Sequence, residues 1–134
     1  VDRIKQIIII RRDLKNVDGQ KVRSGKIIAQ ACHASIAFLT NFIRKNPESN
    51  IGQKLSSVQK EWIDGSFFKI CLAVDSEKEL LDILEKSRNI GLDAHLITDK
   101  GHTEFGGIST NTCLALGPDY SSRLDPITGH LKLF

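Results

Sequence analysis

"IKQIIIIRR", residues 4–12, sets four isoleucines in succession and ends them in two arginines. A strand with one wet face alternates apolar and polar residues, whereas a short β-branched run that is apolar at every position predicts a strand covered on both faces. The architecture follows from what surrounds it. Residues 13–24, "DLKNVDGQKVRS", are polar and punctuated by Asp18-Gly19, so a loop leaves the strand, and Ser24 is positioned to cap a helix that starts near Gly25. "SFFKICLAVD" (66–75), "DAHLITD" (93–99) and "NTCLALG" (111–117) are further strand runs. Ser76 with Glu79 forms a capping box for a helix over 77–91, with Gly91 suited to a left-handed C-terminal cap. Strands alternating with helices imply an α/β fold. The last two strands are joined by "KGHTEFGGIST" (100–110) without a helix, which suggests a mixed sheet. The expectation is one layered α/β/α domain over residues 1–134 with a mostly four-stranded sheet.

The helix after Gly25 carries the first question of function. On a wheel turning about 100° per residue, Ile28, Cys32, Ile36, Leu39 and Ile43 fall in one quadrant and Lys26, Gln30, His33, Asn41 and Arg44 lie opposite. The apolar quadrant is the expected core face. Pro47 disfavours helical geometry at Asn46, which ends the helix. Ile51, Leu55, Val58 and Trp62 then predict a single second amphipathic helix closing at Asp64-Gly65. The tail "DPITGHLKLF" (125–134) reads as a turn and an apolar end.

Composition narrows the function classes. The 134 residues are 40% apolar and 6% aromatic, with a net charge of +3, which permits phosphate contacts without demanding them. So few aromatics do not make the stacking platform of a single-strand binder. Cys32, Cys71 and Cys113 are an odd number without paired spacing, and they read as buried thiols in a reducing compartment, with the cytoplasm as the expected location. No window is apolar enough for a membrane span, and there is no HExxH, CxxC, Walker loop or Gly-x-Ser-x-Gly. No metal or organic cofactor is expected.

In layered α/β folds, ligands collect where strands hand over to helices. Lys26, in the first turn of a helix, opposes the helix dipole and makes better sense facing an anion, although a lysine lying along the surface is the plainer alternative. His33 has the chemistry for proton transfer near neutral pH, and a half-buried structural histidine is as common. Asp99 ends a strand, where a carboxylate can act as a base or orient one. The loop after it adds His102, Thr103 and Glu104 among glycines that free backbone N–H groups.

Taken in order, "RRDLK" (11–15), "GKIIAQACHA" (25–34), "LITDKGHTEF" (96–105), "ALGP" (115–118) and "TGHLKLF" (128–134) resemble the peptidyl-tRNA hydrolases of the archaeal and eukaryotic type over nearly the whole chain. The resemblance implies hydrolysis of the ester between a peptide and the terminal ribose of tRNA, by a compact α/β protein usually found as a homodimer. It also implies catalytic roles for Lys26, His33, Asp99 and Thr103, and substrate binding by Lys15, Gln30, Gly117 and Pro118. The chain departs from the family pattern at Cys32, at His102 where an arginine is usual, and at Glu104 where a glutamine is usual. Those loop changes open the alternative of a non-catalytic binder of tRNA or protein.

Overall fold

The computed structural model describes residues 2–134. One five-stranded mixed sheet runs in the order β3-β4-β1-β2-β5, formed by β1 (Ile4–Arg11), β2 (Lys69–Val74), β3 (Ala94–Asp99), β4 (Thr110–Tyr120) and β5 (Lys132–Leu133). β1 is central, parallel to β2 and antiparallel to β4. Its isoleucines divide between two cores, because successive side chains of a strand point to opposite faces. Ile7 and Ile9 join Leu72, Leu80 and Leu124 on one face, while Ile8 and Ile10 meet Ala34, Cys113 and Ala115 on the other. Burying each such side chain contributes about 1.5–3 kcal/mol. That double burial is the reason the run contains no polar residue.

The first face is covered by α4 (Glu77–Asn89) and α5 (Ser121–Thr128), the second by α1 (Ser24–Lys45) and α3 (Ser57–Asp64), with a single turn, α2 (Ile51–Lys54), between them. Phe38 of α1 meets Trp62 of α3 edge to face at 6.2 Å, and the Trp62 indole donates to the Phe68 carbonyl at 2.8 Å. The layered α/β expectation holds, with the two-residue β5 added beside β2 through Leu72–Leu133 and Ala73–Lys132 pairing.

Several local expectations are corrected. The first helix begins at Ser24 itself, with Arg23 as its N-cap and no side-chain cap. Its core face is the reverse of the one expected: Gln30, Ala34, Ala37 and Phe38 are buried, whereas Ile28, Ile36 and Ile43 are 64%, 51% and 50% exposed. Small side chains let this helix lie close on the sheet, so proximity rather than hydropathy chooses its inner face. The second amphipathic segment is two helices, broken at Leu55 by a capping box in which Ser56 and Gln59 satisfy each other's backbone N–H groups. Ser76 does cap α4 by accepting from Glu79 N, but the Glu79 carboxylate accepts from Asp75 N, so the reciprocal half of that box is absent. Gly91 has the left-handed φ of 77° expected after α4. The tail has its turn at Gly129-His130, but its first residues belong to α5 and Lys132–Leu133 form β5. Of the thiols, Cys113 is buried and its pKa pushed up to about 12 by that burial, but Cys32 and Cys71 are exposed.

Candidate active site

Lys26 projects from the first turn of α1 onto the end of β3. Its ammonium lies 2.6 Å from Asp99 Oδ2 and donates to Thr103 Oγ1 at 2.9 Å, over the Phe105 ring at 5.6 Å from the centroid. The two charged side chains are only 12% and 13% exposed. Gln30, one turn along α1, donates from Nε2 to the same Asp99 oxygen at 3.0 Å. Gly101 N donates to Asp99 Oδ1 at 2.6 Å. Gly101 has a φ of 82°, and a Cβ there would run into the backbone of Ile108, so only glycine lets the chain fold back and present that N–H. Burial pushes the Asp99 carboxyl up, but the Lys26 ammonium, the Gly101 N–H and the Gln30 amide together hold it below the usual carboxylate range.

Gln30 is itself fixed from behind. Its Oε1 accepts from the hydroxyl of Thr112, a fully buried residue of β4, at 2.7 Å, and its backbone carbonyl accepts from Cys113 Sγ at 3.3 Å. With Oε1 so occupied, the amide must turn its NH₂ toward Asp99. Sequence reasoning passed over Thr112 and, though it expected N–H donors from the loop glycines, did not single out Gly101. A threonine in an apolar strand run offers no signal, and the glycine's role depends on a contact with Ile108 that only the fold creates.

The structure therefore brings Lys26, Gln30, Asp99 and Thr103 together. His33 is exposed and lines the same groove as Gln30, Asp99 and His102, but it makes no hydrogen bond among the described residues. Lys15 lies in the β1–α1 loop, paired with Lys21, and faces a separate depression beside Phe105 and Ile108. Gly117 and Pro118 are at the opposite end of the sheet. Gly117 N donates to Asp93 O, before the start of β3, about 20 Å along the strand from Asp99. No hydrogen bond among the described residues joins Gly117 or Pro118 to the Lys26–Asp99 pair, so the structure does not bring them together with it.

Glu104, one of the departures from the family pattern, turns toward the start of α1. Its carboxylate accepts from Arg23 Nε at 2.6 Å and Arg23 N at 3.3 Å at the start of α1, and the guanidinium lowers its pKa. His95 is held by Asn41 Nδ2 at 2.9 Å on Nδ1 and by Asp93 Oδ1 at 2.6 Å on Nε2, which ties the later half of α1 to β3. No group of three or more His, Cys, Asp or Glu able to hold a metal ion occurs among the described residues.

Comparison with known proteins gives a concordant result. The family model described as "Peptidyl-tRNA hydrolase PTH2" matches residues 4–134. A protein of Methanocaldococcus jannaschii named peptidyl-tRNA hydrolase is 38% identical over 130 residues, covering 97% of this chain and 99% of that one. The protein of the same name from Methanothermobacter thermautotrophicus is 39% identical over 130 residues, with the same coverage of 97% and 99%. "Peptidyl-tRNA hydrolase 2, mitochondrial" of Homo sapiens is 31% identical over 130 residues, which span 97% of this chain and 64% of that protein.

Proposed function

The chain belongs to the PTH2 family of peptidyl-tRNA hydrolases, carboxylic ester hydrolases, and from that premise we propose that Lys26, Asp99, Gln30 and Thr103 carry the cleavage of peptidyl-tRNA. Water must attack the ester carbonyl, an oxyanion must be stabilised, and the ribose oxygen must leave with a proton. Hydrogen-bond capacity assigns the roles. A carboxylate offers about four acceptor positions; Asp99 Oδ2 accepts from Lys26 and Gln30, while Oδ1 accepts only from Gly101. The free position on Oδ1 orients the attacking water. An ammonium has three N–H donors; Lys26 uses one on Asp99 and one on Thr103, and the third faces the developing oxyanion. A carboxylate held below its ordinary pKa stays charged at neutral pH and acts here more by orientation and charge than as a strong base. His33, in the same groove, takes the proton released by the attacking water and returns one to the departing ribose oxygen.

The observation that carries this reading is the nearly buried 2.6 Å Lys26–Asp99 pair at one end of an open groove. Such a pair is a poor source of stability, since desolvation offsets much of the attraction. Single-turnover cleavage of a labelled peptidyl-tRNA tests it. Asp99→Asn and Lys26→Ala each slow the reaction by about 100-fold or more, and His33→Ala slows it less. Unchanged rates in all three remove the proposed site. The rival, a binder without turnover, drew on His102 and Glu104; the Arg23 guanidinium paired with Glu104 offsets part of the added negative charge.

We further infer that the whole chain acts as one domain and pairs as a homodimer in the cytoplasm. The shared sheet supports the first, the exposed Ile28, Ile36 and Ile43 face of α1 the second, and unpaired thiols the third. No helix among the described residues is long and apolar enough to cross a membrane. Sedimentation of wild type and Ile36→Asp tests the pairing.

A further inference from the structure

The geometry points to the groove between α1 and β3 as the binding site for the peptide part of the substrate, held extended along the free edge of β3, an inference that rests on the hydrolase reading above. The groove has a volume of about 610 Å³. On α1 its wall runs from Gln30 through His33, Ala37 and Asn41 to Arg44, about 21 Å along one helix face, with Ile36 and Thr40 beside them. On the strand side Leu96, Ile97 and Thr98 all line it. Consecutive side chains of a strand point to opposite faces, so three consecutive residues can share one groove only if it runs along the strand's edge.

That edge is open. β3 is the last strand of the sheet and pairs only with β4, so alternate N–H and C=O groups turn outward unpaired. Natural edges are blocked by proline, lysine or bulges; between Ala94 and Asp99 there is neither proline nor lysine, and the pairing with β4 shifts register once, between Ile97 and Thr98. An extended peptide can therefore add to β3 as a further strand, using main-chain hydrogen bonds that do not depend on its sequence. About six extended residues match the length of that wall.

The other part of the substrate fits less well. Single-stranded nucleotides are usually held by bases stacked on aromatic rings, and the lining contains no Phe, Tyr or Trp among the described residues. The imidazoles of His33 and His102 occur only at the Asp99 end, beside the ester itself. Continuity with the catalytic cluster, through Gln30 and Asp99, puts the first peptide residue at that end and leaves Arg44 near the sixth.

The test uses the full chain and one tRNA carrying N-acetylated peptides of one to eight residues. Michaelis constants fall as the peptide lengthens to about six residues and then level off. In a hexapeptide, N-methylation at alternate amides raises KM about two- to tenfold, the effect of losing one hydrogen bond each, and the intervening positions are insensitive. Thr40→Trp, which narrows the groove midway, erases the gain from length; should that variant fail to fold, the wild-type methylation series still decides. A KM independent of length and methylation overturns the inference. So does weaker competition by the tRNA's 3′-terminal trinucleotide against Thr40→Trp than against wild type, which would assign the groove to RNA. Absence of cleavage of every substrate by wild type would instead defeat the hydrolase reading.

Discussion

Thr112→Val isolates the device that aims the site without touching any group that meets substrate. Valine has nearly the shape of threonine and lacks only the hydroxyl, which lies 2.7 Å from Gln30 Oε1 and 3.3 Å from the Ile97 carbonyl. Gln30 is 2% exposed, so its carbonyl oxygen has no solvent to turn to once that donor is gone. Leaving a buried acceptor unsatisfied costs about 1–3 kcal/mol, which lowers the unfolding midpoint by roughly 5–10 °C for a domain of this size. A flip of the amide exchanges that unsatisfied acceptor for an unsatisfied donor facing the valine and sets Oε1 against Asp99 Oδ2. Asp99 then loses a donor, and its pKa rises toward the ordinary carboxylate value. A hydrogen bond to a charged group is worth about 1.5–3 kcal/mol, which corresponds to roughly 10- to 100-fold in rate if it is expressed in the transition state. Thermal unfolding and single-turnover rates between pH 3 and pH 8 read both effects. Thr112→Ser, which keeps the hydroxyl, returns the wild-type profile. A Thr112→Val protein that matches wild type in midpoint, rate and acid limb refutes the argument that Thr112 orients Gln30.

Two further outcomes test the fold beneath the site. Because the isoleucine face of α1 is outward, Ile36→Asp changes monomer stability by no more than about 0.5 kcal/mol, whereas Ala34→Leu, on the buried face, costs about 1–3 kcal/mol by overpacking; denaturant unfolding of the two reverses in order if the helix is turned the other way. Asp99 and Asp13 both have folded pKa values lowered from 3.8, Asp99 against its burial by Lys26, and Asp13 chiefly by the Arg11 guanidinium. Their stabilisation is complete above that value and is lost as pH falls through the lower folded values. Stability therefore drops steeply below about pH 4, and Asp99→Asn flattens that slope. An identical slope would contradict the assignment.

Parts of this molecule were readable from residues alone. The isoleucine run identified the central strand because burial on both faces is recorded directly in composition. Asp99 was recognisable as a strand-end carboxylate, and Lys26 as a cation where a helix least favours one. The inner face of α1 was not recoverable from hydropathy. Ala34 and Ala37 are weaker hydrophobes than Ile28 and Ile36, yet their small size allows the close approach that buries them. Gln30 scores as polar and is buried because Thr112 and Asp99 satisfy both ends of its amide. The break between α2 and α3 did have a signal, Ser56 with Gln59 three residues on, hidden inside a continuous apolar period. α5 was obscured by Pro126, which stands inside it.

The position of β1 has a consequence for the order of events in the cell. During synthesis β1 leaves the ribosome before both of its neighbours, one beginning at Lys69 and the other at Thr110. Lys26 likewise emerges before Asp99. Throughout its own synthesis the polypeptide is itself a peptide esterified to tRNA, the same kind of molecule it cleaves. It gains the means to cut such a linkage only after the later strands have emerged, so the topology ties activity to completion of the sheet.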